Sequence, residues 1–142
     1  HIIGHEGTVK TLDWCPWKSG LLASGGKLDK SIICWNMNGK DPEIVCQKAT
    51  GSPISSIFWH KKYKEILTSH DNPDNFVRFW RYPSLETSTT IEGHQGRIIQ
   101  MCLSPHYDQL CTISTDETVR FWKLDQKPRK NPRCSLDRFI IK

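Results

Sequence analysis

One sequence pattern occurs three times along the chain and constrains the fold more than any other feature. Trp35, Trp80 and Trp122 each end the third apolar stretch of a unit, and they are 45 and 42 residues apart. Each unit contains short apolar stretches bounded by Gly, Pro, Asn, Asp or Ser, as strands are. Four short strands in about 40–45 residues make one blade of a β-propeller. No segment shows a sustained helical periodicity, so the sequence predicts an all-β fold with almost no helix.

The three units predict three blades, at about residues 1–49, 50–93 and 94–125, followed by a basic tail at 126–142. Propellers usually have about four to eight blades, so three cannot close a ring. The last unit also has three strands and no clear fourth. We therefore expect the C-terminal arc of a larger ring, predicted to have seven blades, with open sheet edges and an exposed apolar flank.

The net positive charge of the chain arises from its C-terminal end. Residues 1–122 carry 13 Lys and Arg against 13 Asp and Glu, whereas residues 123–142 carry seven basic residues against Asp125 and Asp137. This distribution does not favour a basic face for nucleic acid. The linker at 126–134 (QKPRKNPRC) is interpreted as a plain tether, with a nuclear-localisation patch as the alternative. No apolar run is long enough to span a bilayer, so no membrane partner is expected.

Polar residues recur at matching places in the first and third units. A Gly-His pair precedes the first strand, an Asp lies six residues before the Trp of the third stretch, and the second strand carries a Ser or Thr. In WD repeats, which these units resemble, such residues form a buried hydrogen-bond network that fixes strand register. The predicted networks are His5, Ser24, Asp29 and Trp35, and His94, Thr112, Asp116 and Trp122. The middle unit has Asp74 but Thr50-Gly51 in place of Gly-His, so we expect its network to be incomplete.

The same residue types could be mistaken for a catalytic triad. The Ser and Thr would lie in mid-strand within a packed blade, without a nucleophile elbow or a glycine-lined oxyanion site. The sequence therefore predicts a binding module and not an enzyme.

Six cysteines, at positions 15, 34, 46, 102, 111 and 134, show no CxxC spacing. None pairs with a nearby HxxxH, so neither a zinc site nor any other cofactor is predicted. Most lie in apolar, strand-like stretches, where a free Cys behaves as a small hydrophobe. This usage indicates a reducing compartment, the nucleus and cytoplasm.

Three further motifs are more specific than a general WD repeat. They are LDWCPW at 12–17, RYPSL at 81–85 and DETVRFW at 116–122. Over essentially its whole length the chain resembles the Fizzy and Fizzy-related proteins, which are activator and substrate-adaptor subunits of the anaphase-promoting complex. The resemblance implies recruitment of substrates to this ubiquitin ligase in mitotic or meiotic control. The implied partners are subunits of the complex and degron-bearing substrates such as cyclins.

The resemblance also implies degron-binding residues. Destruction-box peptides lie between the first and last blades of the family's propeller, and Glu117 matches the acidic residue that meets the box arginine. Arg97 matches an arginine that contacts KEN-type degrons on the top face. Pro53 stands where the family has a Gln contact, and the Gly25–Leu28 loop is shorter than the family's. These two departures count against ordinary KEN recognition and suggest a specialised relative, such as the Cortex-like branch.

The family ends in Ile-Arg, which docks in a groove of a helical-repeat subunit of the complex. This chain ends in Ile141-Lys142, which keeps the apolar residue and a cation but lacks the guanidinium fork. We therefore expect weaker docking through the tail. A WD40 scaffold outside ubiquitination is the alternative function, and a nucleic-acid-binding protein is supported by the basic tail alone.

Overall fold

A computed structural model describes residues 4–124, which contain eleven strands and no helix. The predicted all-β architecture is therefore confirmed. The strands are β1 (Val9–Trp14), β2 (Leu21–Gly26), β3 (Ser31–Asn36), β4 (Glu43–Ala49), β5 (Ile54–His60), β6 (Glu65–His70), β7 (Val77–Arg81), β8 (Glu86–Ile91), β9 (Ile98–Leu103), β10 (Gln109–Ser114) and β11 (Val119–Lys123). No helix in the described range is long and apolar enough to cross a membrane.

The strands form three antiparallel sheets, each matching one sequence unit. Their orders are β1-β2-β3-β4 in the first blade, β5-β6-β7-β8 in the second and β11-β10-β9 in the third. The short stretches between units are the outermost strands β4 and β8, whereas the third blade has three strands within residues 98–123. The number of blades in a complete ring stays a prediction.

Neighbouring blades pack face to face around two apolar cores. The first core lies between the first and second blades and includes Trp59, which is 1 % exposed. Its backbone N–H donates to the Asp13 carboxylate at 2.8 Å, and its indole N–H donates to the Asp13 carbonyl at 3.0 Å. The second core joins the second and third blades through Leu67, Ile98 and Trp122, among others. Burial of these faces supplies the main stabilisation of the stack.

The outward face of the first blade is uncovered. Trp14 occupies the same place in its unit as Trp59, yet it is 53 % exposed, and Leu12 beside it is 61 % exposed. The two tryptophans differ because the first blade packs against Trp59, whereas about half of the Trp14 side chain has no described neighbour over it. The expected apolar flank is therefore present.

Candidate functional site

The first blade contains a continuous chain of hydrogen bonds. The Asp29 carboxylate accepts the His5 Nδ1–H at 2.5 Å, and the Ser24 hydroxyl lies 2.7 Å from the His5 Nε2. The Trp35 indole N–H donates to the same hydroxyl at 2.7 Å. Burial opposes ionisation of Asp29, but hydrogen bonds from Ser31 and His5 outweigh it and lower the pKa of that carboxyl. The structure thus brings the four residues predicted for this network together.

The third blade repeats this arrangement. His94 lies 2.9 Å from the Asp116 carboxylate through Nδ1 and 2.7 Å from the Thr112 hydroxyl through Nε2. The Trp122 indole N–H donates to Thr112 at 2.8 Å. Burial opposes ionisation of Asp116, but hydrogen bonds from Thr118, among others, hold its pKa far below the usual range. Burial also lowers the pKa of His94, although Asp116 partly offsets this.

The prediction of an incomplete network in the second blade is wrong. The Thr68 hydroxyl accepts the Trp80 indole N–H at 2.8 Å, and it lies 2.7 Å from Nε2 of His70. The Nδ1 of His70 is 2.8 Å from the Ser52 hydroxyl. The imidazole therefore comes from the end of β6 and not from the segment before β5. Its second partner is Ser52, whereas Asp74, which lies six residues before Trp80, is exposed at the turn.

Each network has one hydroxyl that accepts the indole N–H, from Ser24, Thr68 or Thr112. The residue two positions after this network hydroxyl explains the difference. It is His70 in the second blade, Gly26 in the first and Ser114 in the third. A Cβ at Gly26 would collide with the Asp29 carboxylate and come within 2.7 Å of the His5 Nδ1. In every blade an imidazole therefore lies beside the network hydroxyl. It comes from either of two backbone positions.

The buried imidazole of His70 predicts acid sensitivity. Burial, and then the positive charge of Arg78, lower the pKa of His70 from 6.5 to about 4. The folded state thus binds fewer protons than the unfolded state below pH 6.5, so stability is complete above that pH and declines as pH falls toward 4. At about pH 5 this group alone should cost about 2 kcal/mol of unfolding free energy. Urea denaturation of the full-length protein at several pH values measures the decline.

His70→Gln should flatten this pH dependence, because an amide does not titrate in the range. His106→Gln provides the matched control, because His106 is exposed. An unchanged slope in His70→Gln would contradict the assignment.

The network of the third blade holds the turn between β10 and β11. Asp116 accepts the Thr118 hydroxyl at 2.6 Å and the Thr118 N–H at 3.0 Å. Glu117 lies between these two residues with a φ of +63°, and its N–H donates to the Ser114 carbonyl at 3.2 Å. The side chain of Glu117 is exposed at the tip of the turn. Its carboxylate is therefore presented to solvent from an anchored backbone.

Arg97 lies at the same end of the third blade as Glu117. It is exposed just before β9, and its carbonyl accepts the N–H of Thr115 at 3.1 Å. The structure thus brings the two predicted degron-binding residues to one edge, at neighbouring segments.

The same backbone hydrogen bond occurs in all three blades. The Thr8 carbonyl accepts the Lys27 N–H at 2.9 Å, and the Pro53 carbonyl accepts the Asp71 N–H at 2.9 Å. Pro53 is therefore equivalent to Arg97, and a proline fits because this position supplies a carbonyl and needs no N–H. In the shortened loop after β2, Leu28 is 67 % exposed. Ile141 and Lys142, predicted to dock on the complex, lie outside the described residues.

Within residues 4–124 no group of three or more His, Cys, Asp or Glu side chains could hold a metal ion. The hydroxyls of Ser24 and Thr112 belong to residues that are 5 % and 0 % exposed, and each accepts an indole N–H. They therefore belong to the packed interior of the blades. What the arrangement offers to a ligand is the charged edge around Glu117 and Arg97.

Comparisons with known proteins agree with this architecture. The family model described as "WD domain, G-beta repeat" matches residues 1–36 and 85–123. The chain is 36 % identical to the Dictyostelium discoideum "Anaphase-promoting complex subunit cdc20" over 92 % of its own length and 26 % of that protein. It is 34 % identical to "WD repeat-containing protein srw1" of Schizosaccharomyces pombe over 93 % of its own length and 24 % of that protein.

A solved structure titled "Crystal Structure of Mitotic Checkpoint Complex" contains a similar chain. The TM-score is 0.79 at 37 % sequence identity, and the match covers 84 % of this chain and 37 % of the other. The chain spans about a quarter of the length of the curated relatives that it matches.

Proposed function

Because this chain belongs to the WD40-repeat family and is similar along most of its length to anaphase-promoting complex subunits, we propose that it forms part of a substrate-recruiting activator of that ubiquitin ligase. The observation that carries the proposal is the 36 % identity to the cdc20 subunit over 92 % of the chain. The proposed partners are subunits of the complex and degron-bearing substrates such as cyclins, in mitotic or meiotic cell-cycle control. The proposed location is the nucleus and cytoplasm.

In this proposal the chain is an adaptor and not an enzyme. Its contribution is a surface that selects peptides, and the proposed surface is the edge of the third blade. Support comes from the buried hydroxyls of Ser24 and Thr112, which leave no exposed nucleophile in the polar networks. The chemistry of ubiquitin transfer would then belong to other subunits of the ligase.

We propose that the Glu117 carboxylate binds the arginine of the destruction box. An exposed carboxylate on an anchored turn can form charge-assisted, bidentate hydrogen bonds with a guanidinium. Ile113, which is 36 % exposed, pairs with Val119 beside the turn and offers apolar surface to a neighbouring peptide residue. A peptide with an arginine and a nearby apolar residue therefore fits this edge.

Arg97 is assigned to an acidic or polar degron side chain on the same edge. The residue is exposed, and its backbone is hydrogen-bonded to Thr115 in the turn that carries Glu117, so a peptide on this edge can meet both charges. Pro53, at the equivalent place in the second blade, offers no side-chain hydrogen bond. We therefore expect KEN-type peptides to bind more weakly than destruction-box peptides.

Charge reversal at Glu117 should weaken binding of a destruction-box peptide about 10- to 100-fold, because a hydrogen-bonded ion pair becomes a repulsion. Binding of a labelled peptide to full-length Glu117→Lys protein, measured by fluorescence anisotropy, checks this. The network that anchors the turn is untouched, so the thermal unfolding temperature should stay close to that of the unmodified protein.

Glu86→Lys is the matched control, because Glu86 is exposed at the start of β8, beside the hairpin at the opposite end of the strands. A peptide whose box arginine is replaced by glutamate should recover affinity for Glu117→Lys. Equal peptide affinity in the unmodified protein and in Glu117→Lys would disprove the assignment. If no destruction-box peptide binds at all, a WD40 scaffold outside ubiquitination becomes the better interpretation.

A further inference from the structure

Two cysteines face each other across the outer edge of the first blade. Cys34 on β3 and Cys46 on β4 are direct partners in the antiparallel ladder. The Cα atoms of directly opposed residues are about 4.5–5.5 Å apart, which lies within the range of about 4.4–6.8 Å that a disulfide bridges. Their thiols are also hydrogen-bonded to each other. The fold therefore places two sulfurs where a bond between them needs little movement.

The two thiols differ in access to solvent. Cys34 is 0 % exposed and belongs to the core between the first and second blades, together with Cys15. Cys46 is half-buried on the outermost strand, between the exposed residues Val45 and Gln47. A small solute can thus reach Cys46, whereas Cys34 is shielded behind it.

The interaction between the two thiols also shifts their pKa values in opposite directions. The interaction with the buried Cys34 thiol lowers the pKa of Cys46 in spite of the partial burial of Cys46. The same interaction, together with burial, raises the pKa of Cys34. Because the thiolate is the nucleophilic form, the accessible cysteine is also the more reactive one.

A β-bulge lies directly beside the pair. The ladder joins Cys34 to Cys46 and then Trp35 to Ile44, so Val45 is the extra residue on β4. A bulge interrupts the regular hydrogen bonding of the ladder and bends the strand that carries it. The outer strand is therefore less constrained at this point than in the middle of a regular sheet.

We propose that Cys46 and Cys34 form a redox modification site that reacts with hydroperoxides. The Cys46 thiolate attacks one peroxide oxygen, the O–O bond breaks, and Cys46 becomes a sulfenic acid while hydroxide leaves and takes a proton from solvent. The Cys34 sulfur then attacks the Cys46 sulfur, its proton joins the departing hydroxide as water, and a disulfide forms. Overall, two thiols lose two electrons and hydrogen peroxide is reduced to two waters.

The disulfide would join β4 covalently to β3 next to Trp35, which ends the polar network of the first blade. A thiol reductant would reverse the modification. This site lies in the first blade, whereas the proposed degron-binding edge lies in the third. The two proposals can therefore fail separately.

A second cysteine pair provides a matched control within the same chain. Cys102 and Cys111 are direct partners across β9 and β10, in the same kind of antiparallel register. Cys102 is exposed, but the pKa of Cys111 is raised by burial and by Cys102. This pair shares the cross-strand register but has no bulge beside it, because the irregularity in its ladder lies at Ile113 and Ser114. We therefore expect it to form a disulfide more slowly.

The test exposes the full-length protein to a small excess of hydrogen peroxide, blocks the remaining thiols with N-ethylmaleimide and maps the peptides by mass spectrometry. We expect a cross-linked Cys34–Cys46 peptide that forms at least tenfold faster than any Cys102–Cys111 peptide and disappears with dithiothreitol. In Cys34→Ser, Cys46 should stop at a sulfenic acid that dimedone captures. In Cys46→Ala, Cys34 should remain fully alkylated under denaturing conditions after peroxide.

Two results would overturn the proposal. One is full alkylation of Cys34 and Cys46 after peroxide at doses that oxidise Cys102. The other is a Cys102–Cys111 link that forms as fast as the Cys34–Cys46 link. Circular dichroism of each variant verifies that it is folded, and the unmodified protein tests the proposal even if a variant fails to fold.

Discussion

Thr112→Val is expected to lower the free energy of unfolding of the full-length protein by about 2–6 kcal/mol. The Thr112 side chain is buried, and its hydroxyl accepts the Trp122 indole N–H at 2.8 Å and lies 2.7 Å from the His94 Nε2. Valine keeps the shape and removes both hydrogen bonds. Two buried polar groups then remain unpaired, and each costs about 1–3 kcal/mol.

Urea denaturation measures this loss, and Thr90→Val is its control. Thr90 is exposed on the outer strand β8, so the same substitution there should change the unfolding free energy by less than about 0.5 kcal/mol. If Thr112→Val and Thr90→Val had equal effects, the network would not contribute to stability.

Gly26→Ala should destabilise the first blade by about 2–4 kcal/mol. The backbone of Gly26 does not need glycine, because only Gly20, Gly51 and Gly93 among the described glycines have positive φ. The cost arises instead from the added methyl group, which would displace the Asp29 carboxylate and press on the His5 ring. We therefore expect loss of the His5 hydrogen bonds together with overpacking.

Gly51→Ala separates collision from backbone strain. Gly51 has a φ of +87°, and a Cβ added there would have no neighbouring atom within 4 Å. Alanine at this position therefore meets backbone strain of about 1 kcal/mol and no collision. In a second comparison, Asp29→Ala removes the carboxylate that the new methyl group of Gly26→Ala would strike. Gly26→Ala should then cost less in the Asp29→Ala background than alone, and strictly additive effects would contradict the explanation.

The repeat and the strands could be predicted from the sequence because their signals are local. The repeated tryptophans mark the units, and apolar stretches between turn residues mark the strands. The networks of the first and third blades were equally accessible, since a Gly-His pair and a turn aspartate recur at fixed spacings. The structure places those eight residues in two networks of four, one in each of these blades, as the spacing predicts.

The network of the second blade was missed because equivalent side chains need not come from equivalent positions. The imidazole of His70 reaches the Thr68 hydroxyl from two residues along the same strand, whereas His5 and His94 come from the segment before the first strand. The available signal was the Thr-x-His spacing at 68–70, together with a glycine at the equivalent place in the first unit. When the units are aligned by their strands, His70 lies opposite Gly26 and not opposite His5, so the alignment does not show that the two histidines fill the same role.

Cross-strand pairs were not predictable for a related reason. Pairing of Cys34 with Cys46 depends on a register that the bulge at Val45 alters, and no local pattern marks that bulge. The difference between Trp14 and Trp59 likewise depends on which blade face has a neighbour, and this follows from the stacking of the sheets. Both features belong to tertiary structure.

Association with the ligase tests the central claim most directly. The full-length protein, carrying an affinity tag, would be used to recover the anaphase-promoting complex from dividing cells, in parallel with a form that lacks Ile141-Lys142. We predict that the intact protein recovers the complex and that the truncated form recovers less of it, because the truncation removes the apolar residue and the cation that we propose for docking. Failure of both forms to recover any subunit of the complex would contradict the activator function.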